Sequence, residues 1–274
     1  MTDVAVSVTR GDRSRRWRKP PFITDPRWRW GLYLGALAYL LIAAGTVEIN
    51  WSRAVAGIDR GVQFVAAFLQ PNFTDRGDDI VDGFLESIAI TITSTIFGII
   101  LSVPVALGAA RNLAPLPVYL VCRGIIAVSR AFQEVIIAIL FVAMFGFGPF
   151  AGVVTLAFAT IGFLAKLLAE DIEDIEPTQV EAIRATGGSW FQVLNYAIQP
   201  QVAARFTGLS LYRLDINFRE SAVIGIVGAG GIGATLNTAI SRYDYDSAAA
   251  VLLVIIGVVL AVEYSSGYIR RRLL

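Results

Sequence analysis

Charged and polar side chains inside an apolar stretch are the residues of this sequence with the clearest capacity for chemistry. In the stretch 203–228, Arg213, Asn217 and Glu220 stand four and then three positions apart, so a helix would present them on one face. Ionisable groups at membrane depth are costly and usually face a bundle interior or a water-filled path. Since Arg213 has no acidic residue four positions away on either side, it is the residue best placed to meet a mobile anion.

Two pairs of opposite charge also stand at helical spacing. Asp215 and Arg219 are four positions apart in the same stretch, and Arg130 and Glu134 are four positions apart further upstream. Such pairs can neutralise each other and lock helix contacts, or they can line a path for an ion. The spacing leaves both interpretations open for these four residues.

The composition shows what kind of protein must hold these charges. Of 274 residues, 55% are apolar and 16% are charged, whereas an ordinary soluble domain carries about 25% charged residues. The mean hydropathy is +0.63. A bilayer core about 30 Å thick needs about 20 apolar residues per helix, so the length accommodates about six membrane spans.

The same composition excludes several kinds of site. The chain has no histidine, which removes histidine-based acid–base chemistry and histidine-ligated metals. Its one cysteine, Cys122, removes internal disulfides. A net charge of +1 offers no global field that would recruit nucleic acid. We therefore expect no metal, no cofactor bound by this chain and no nucleic-acid partner.

Apolar runs predict where the chain crosses the membrane. The run 185–204 is uncharged, but its glycines, amides and proline would leave polar groups unsatisfied in hydrocarbon, so we place it outside the bilayer. The remaining runs predict an all-α polytopic membrane protein with six spans, at 31–49, 84–110, 117–145, 149–169, 203–228 and 248–269.

Basic residues predict the orientation of these spans. The arm 1–30 holds eight arginines and lysines, and three arginines follow the last span at 270–272. Because basic residues stay on the cytoplasmic side, both termini are expected to be cytoplasmic. The chain is then divided into a basic arm, which sets the topology or binds anionic lipid, and a transmembrane domain, 31–274, with a cytoplasmic loop at 170–200.

A glycine motif in the fifth predicted span imitates a nucleotide site. Gly228, Gly230 and Gly233 formally match G-x-G-x-x-G. A dinucleotide site also needs a preceding strand and an acidic residue about 20 positions later, and residues 251–253 are all apolar. The glycines are instead predicted to end the span and form a turn or re-entrant segment at the outer face.

The cytoplasmic loop is predicted to contain two short helices. Thr178 and Glu181 match a T-x-x-E capping box that would begin the first, and Gly187 and Gly188 would end it. A second box, Ser189 to Gln192, would open a helix that Pro200 limits. Such an elbow could insert into a partner protein and transmit a push, or it could be a connector that packs on its own bundle.

Residues of this elbow resemble a known family signature. Glu181-Ala182, Gly187, Ile198 and Pro200 are similar to the E-A-A…G…I-L-P motif of permease subunits in binding-protein-dependent ABC importers. In that family the loop forms a coupling helix that docks into a cleft on a cytoplasmic ATPase. The resemblance implies that role for Glu181, Ala182, Ala185, Gly187, Gly188, Ile198 and Pro200. Two departures, Ile183 for alanine and Gln199 for leucine, leave the glycine hinge and Ala182 in place.

A narrower resemblance covers the chain from about residue 86 onward. The segments at 129–134, 146–152, 212–219 and 225–233, and the pair Tyr245-Asp246, resemble permeases of phosphonate importers. Such permeases commonly place a proline ahead of the acidic residue at 134. This sequence has Phe132-Gln133 there, so it does not predict the kink that a proline would cause.

The resemblance implies a methionine-importer type of fold and a function. The chain would be the translocation subunit of an ATP-driven importer for phosphonate or a related phosphorus oxyanion, phosphite or phosphate. It would sit in the bacterial cytoplasmic membrane as a homodimer, without chemistry of its own. Its partners would be ABC ATPase subunits, which hold ATP and Mg, and an extracytoplasmic substrate-binding protein.

The intramembrane polar residues would then form the path of the anion, which needs cationic groups that bind it weakly enough to release it. Two alternatives stay open. An importer of the same fold could carry methionine or another small solute, or a secondary transporter could use acidic residues as proton or cation sites. The candidate path residues are Arg130, Glu134, Arg213, Asp215, Asn217, Arg219 and Glu220.

Overall fold

A computed structural model describes residues 25–46, 51–67 and 69–273, and the regular elements in those ranges are all helices. The chain divides into two units, 1–59 and 60–274. The first holds α1 and the start of α2, and the second holds everything that follows. The helices are α1 Pro26–Thr46, α2 Trp51–Ala67, α3 Gly77–Ala109, α4 Leu116–Ala131, α5 Glu134–Phe145, α6 Pro149–Glu173, α7 Pro177–Ala185, α8 Trp190–Gln192, a π-helical segment Val193–Ile198, α9 Gln199–Ile226, α10 Ile232–Ser241 and α11 Tyr245–Leu273.

Within the described residues, three helices are long and apolar enough to cross a membrane, namely α3, α6 and α11. The bent pair α4–α5 makes a fourth if it is one span. The remaining predicted spans coincide with α1 and α9, at 21 and 28 residues, which are not apolar enough to be assigned on length and composition. For α9 the cause is its five charged residues, Arg205, Arg213, Asp215, Arg219 and Glu220.

Small residues let α3 and α6 pack closely in the centre of the second unit. Gly98 of α3 lies against the side chain of Thr160 on α6, where a Cβ would overlap it. Gly162 of α6 in turn faces the Ser129 side chain of α4, whose hydroxyl donates to the Phe158 carbonyl at 2.7 Å. Close backbone approach through small residues is how helices associate where lipid removes the hydrophobic driving force.

The predicted third span is not one helix. Its two halves, α4 and α5, meet at 98°, because Phe132 and Gln133 are extended, at φ −110°, ψ 144° and φ −72°, ψ 145°. The residues of the span predicted over 117–145 thus form a bent pair of helices, and the kink that the sequence left open is present. The break does not need a proline, since the Ser129 hydroxyl holds the end of α4 to α6 while Glu134 begins a new helix.

Two apolar clusters mark opposite ends of this bundle. One joins α3, α6 and the start of α9 through Ala106, Leu168 and Val202, and α7 packs on it. We call this the α7 end. The other end contains Ile90, Leu156 and Ile224 with their neighbours. The predicted loop 170–200 therefore lies at one end of the bundle and the glycine motif at the other.

The glycine motif forms a turn, as predicted, and no strand precedes it in the described residues. Gly228, Gly230 and Gly231 have φ of 95°, 82° and 75°, conformations that side chains other than glycine rarely adopt. A carboxylate oxygen of Glu86 accepts a hydrogen bond from the Gly231 N–H at 3.0 Å, and the Ser87 hydroxyl accepts one from the Ile232 N–H at 2.9 Å. These two acceptors on α3 fix the start of α10.

An ion pair also ties α3 to the α10–α11 turn. The Arg76 guanidinium lies 2.9 Å from the Asp244 carboxylate. Burial opposes ionisation of Asp244, but hydrogen bonds from Ser247 and Arg76 outweigh it and hold the pKa of that carboxyl below its ordinary value. The contact is therefore present at neutral pH and is lost as the pH falls through that lowered pKa.

A substitution in α10 tests the close crossing of α9 and α10. A Cβ at Gly233 would overlap the Ala222 carbonyl oxygen, which is backbone and cannot swing aside. We expect Gly233→Ala to destabilise the purified protein by about 1–3 kcal/mol, measured by thermal unfolding in detergent. The control is Gly257→Ala, where nothing lies within 4 Å. Equal melting temperatures for the two variants would contradict the crossing.

Candidate functional site

The helix α7 ends in a glycine cap of the kind predicted, and we call α7 together with this cap the α7 elbow. The Gly188 N–H donates to the Ile183 carbonyl at 3.1 Å and the Gly187 N–H to the Arg184 carbonyl at 3.0 Å, which is a Schellman motif. Gly187 has a φ of 78°, and a Cβ at Gly188 would lie 2.7 Å from the Ile183 oxygen. Both glycines are therefore required, one for its left-handed conformation and one for close approach.

The start of α7 differs from the prediction. Its N-cap is Glu176, and Pro177 stands in the first turn, where a missing N–H has no consequence. The Thr178 hydroxyl donates to the Glu176 carboxylate at 2.9 Å instead of capping the helix with Glu181. The T-x-x-E capping box was therefore wrong, because the N-cap lies two residues before Thr178, where that motif places it.

The second capping box is present and Pro200 does not end its helix. The Ser189 N–H donates to the Gln192 side-chain oxygen at 2.7 Å. From α8 the chain continues through the π-helical segment into α9, with Pro200 in the first turn of α9. Proline is tolerated in the first turn of a helix, because the N–H that it lacks is one of the donors without an intrahelical partner there. The prediction that Pro200 limits this helix was wrong.

One face of α7 is anchored and the other is exposed. Val180 and Ile183 pack on the apolar cluster at the α7 end, and the Glu176 N–H donates to the Gln201 side-chain oxygen of α9 at 3.0 Å. Glu181, Ala182 and Ala185 lie on the outward side and are exposed. Three of the predicted coupling residues are thus exposed on the outer face of α7, while the start of this helix is tied to α9.

The other predicted coupling residues divide into exposed and buried ones. Gly187 and Pro200 are exposed and Gly188 is half-buried, whereas Ile198 is 1% exposed and belongs to the core of the bundle. Next to the elbow three aromatic side chains that sequence reasoning did not select are exposed, Trp190, Phe191 and Tyr196. Their signal in the sequence was an aromatic pair directly after the glycine cap.

The predicted path residue Arg213 lies in a buried polar network. Its Nε donates to the Thr160 hydroxyl at 3.1 Å, and the Asn217 amide donates to Thr160 at 2.9 Å and to the Thr95 hydroxyl at 2.8 Å. The Thr160 hydroxyl itself donates to the Leu156 carbonyl at 2.6 Å. Arg213 and Asn217 are 3% and 0% exposed. The network therefore joins α3, α6 and α9 around the buried Arg213 side chain.

The ion-pair partner of Arg213 is Glu134, at 3.6 Å from Nη2. The helix break turns Glu134 toward α9, and no ion pair joins it to Arg130 among the residues that the structure describes. The predicted Arg130–Glu134 pair was wrong for this reason. The Nη2 atom of Arg213 is buried and makes no hydrogen bond within the described ranges, and the guanidinium carbon lies 5.5 Å from the ring centre of Phe163.

A polar cavity of about 330 Å³ opens beside this pair. Arg213 and Glu134 line it together with Arg130, Gln133 and Phe163. Three of the predicted path residues thus meet in one space, which we call the arginine cavity. Thr95, Thr160 and Gln133 were not among the predicted path residues. The signal for the two threonines was a small polar side chain within an otherwise apolar span.

The remaining path residues lie elsewhere on α9. Asp215 and Arg219 form the predicted pair, with oxygen and nitrogen 2.6 Å apart, and neither lines the arginine cavity. Asp215 is buried and Arg219 exposed. Glu220 is half-buried and close enough to interact electrostatically with Glu134 and Arg213. Among the described residues no group of three acidic or cysteine side chains could hold a metal ion.

Known proteins share this fold and much of this sequence. A chain of the MetNI methionine ABC transporter, solved in an inward-facing conformation, matches with a TM-score of 0.63 at 21% identity, over 73% of this chain and 99% of that one. The methionine-importer fold expected from the sequence is confirmed. The phosphate-import permease protein PhnE of Mycolicibacterium smegmatis is 41% identical over 247 residues, 89% of this chain and 46% of that protein.

This chain thus spans about half the length of PhnE. The phosphite transport system permease protein PtxC of Stutzerimonas stutzeri is 41% identical over 188 residues, 68% of each chain. The sequence pattern described as "Binding-protein-dependent transport system inner membrane component" matches residues 95–274. The chain therefore belongs to the family of inner membrane components of binding-protein-dependent transport systems.

Proposed function

We propose that this chain is the translocation subunit of an ATP-driven importer for a phosphorus oxyanion, namely phosphonate, phosphite or phosphate. The observation that carries the proposal is the α7 elbow, whose signature residues Glu181 and Ala182 are exposed on a helix anchored to the bundle. The names of the relatives PhnE and PtxC support the substrate class. The arginine cavity supplies cationic groups suited to an anion.

The proposed assembly contains two copies of this chain, two ABC ATPase subunits and an extracytoplasmic binding protein. The α7 end faces the cytoplasm, as do both termini, and the chain performs no catalysis itself. ATP and Mg belong to the ATPase. Two permease copies about a two-fold axis would place two arginine cavities on one route.

Force from the ATPase can reach the cavity through α9. When ATP closes the ATPase dimer, it draws the two α7 helices together. Gln201 links the start of α7 to α9, and α9 carries Arg213 into its network with α6 and α3. A displacement of α7 therefore moves one wall of the arginine cavity relative to the others, which is what alternating access requires.

Reconstitution tests this function. We expect proteoliposomes that contain the chain, its ATPase and its binding protein to take up radiolabelled phosphate or phosphite only when ATP is supplied to the ATPase side, with methionine as the control solute. The chain alone, under proton and sodium gradients, is expected to transport neither anion. Gradient-driven uptake without the ATPase would overturn the proposal in favour of a secondary transporter.

A further inference from the structure

We propose that the Glu134–Arg213 pair selects oxyanions that carry a hydroxyl proton. The permease would then admit phosphorus oxyanions with a P–OH group and reject sulfate. This inference rests on the proposed function, and it assigns a selective role to a chain whose partner, the binding protein, would also select. The selective group is the Glu134 carboxylate, which stands beside the arginine that would attract the anion.

Arg213 has a free donor for an anion. Its Nε is used by Thr160, whereas the buried Nη2 makes no hydrogen bond in the part of the chain that the structure describes. The nearest carboxylate oxygen, on Glu134, is 3.6 Å away, beyond a good hydrogen bond. A buried donor left unpaired is unfavourable, so an anionic oxygen that entered the cavity would gain a charge-assisted hydrogen bond.

Glu134 determines which anions can use that donor. An ionised carboxylate only accepts hydrogen bonds, and a fully ionised anion placed beside it meets like-charge repulsion that costs several kcal/mol at an interface. A P–OH group removes this conflict, because its proton bridges the two oxygens. Inorganic phosphate keeps at least one P–OH group near neutral pH, because its last proton leaves only in a third ionisation in strongly alkaline solution, whereas sulfate is fully ionised and has no such proton.

The rest of the cavity suits such a ligand without supplying the discrimination. Arg130 and Gln133 also line it and can donate to further oxygens. Arg130 is exposed, so solvent screens its charge and it attracts phosphate and sulfate alike. Glu220 is near the pair but is not among the residues that line the cavity, so it does not contact either anion there. Among the described residues that line the cavity, Glu134 is the one carboxylate, so it is the one negatively charged acceptor next to Arg213.

A competition experiment on the purified chain in nanodiscs tests the inference. Bound radiolabelled inorganic phosphate is displaced by unlabelled phosphate or by sulfate at pH 6.5, a condition chosen to keep the P–OH proton. We expect the wild type to prefer phosphate by about tenfold or more, as one like-charge contact would produce. We expect Glu134→Gln, whose amide can donate to sulfate, to bring the ratio close to one.

Control variants separate this role from simple charge neutralisation. Glu134→Asp keeps an acceptor and is expected to keep the preference, and Glu263→Gln, an exposed acidic residue of α11 away from the cavity, should match the wild type. If Glu134→Gln does not fold, Glu134→Ala is measured in the same assay, and it is also expected to lose the preference for phosphate. Equal binding of both anions by the wild type, no phosphate binding, or an unchanged preference in Glu134→Gln each overturn the inference. The proposed function fails separately, if the assembled importer shows no ATP-dependent uptake.

Discussion

Replacing Ala182 by tryptophan is expected to abolish ATP-driven uptake while leaving the fold intact. Ala182 is exposed on the outward side of α7, so a large side chain there meets no part of its own bundle. If α7 enters a cleft on the ATPase, the added volume prevents the helix from seating. Overpacking a closely fitted contact typically costs about 1–3 kcal/mol or more, and docking is required in every transport cycle.

The same position provides its own control. Ala182→Ser adds one oxygen atom and is expected to retain most of the uptake, because a cleft that accepts alanine has nearly enough room for serine. Measurements are uptake into proteoliposomes, co-purification of the ATPase and the melting temperature of the purified chain. We expect Ala182→Trp to lose the first two and keep the third. Full uptake by Ala182→Trp would mean that this face of α7 does not dock.

Local patterns predicted the parts of the fold that depend on neighbours in sequence. The glycine cap of α7 and the turn at 228–231 follow from the conformational freedom of glycine, and both were confirmed. The pair Asp215–Arg219 was also confirmed, because it lies within one helix. The start of α7 was predicted wrongly because two local signals compete there. Pro177 in the first turn indicates the N-terminus of this helix better than the T-x-x-E motif does.

Contacts between distant parts of the chain could not be predicted in the same way. Glu134 was assigned to Arg130, its neighbour along a continuous helix, but the extended residues between them turn it toward Arg213. The cause is the attachment of α4 to α6 through Ser129 and Gly162, which is a property of packing. Thr160 was missed for the same reason, because a threonine in an apolar run becomes a hydrogen-bonding centre only when other helices bring their donors to it.

Neutralising the Glu134–Arg213 pair is expected to show whether Arg213 binds the anion or only locks the bundle. Arg213→Gln leaves Glu134 facing the cavity without its cation, and truncating one partner of a buried charge pair typically costs about 2–5 kcal/mol. We expect uptake of phosphate or phosphite to fall by about 100-fold or more, which corresponds to about 2.7 kcal/mol. That loss alone is ambiguous, since misfolding would produce it too.

The double variant Arg213→Gln/Glu134→Gln removes the ambiguity. It leaves no uncompensated charge, and two amides can hydrogen-bond to each other and to Thr160, so the melting temperature should return toward that of the wild type. A purely structural pair would then regain transport together with stability. We expect the opposite, namely restored stability and ATPase co-purification with uptake still lost, because the phosphorus oxyanion has no buried guanidinium to meet. Recovery of uptake in the double variant would remove Arg213 from the path and leave the exposed Arg130 as the cation that lines the cavity.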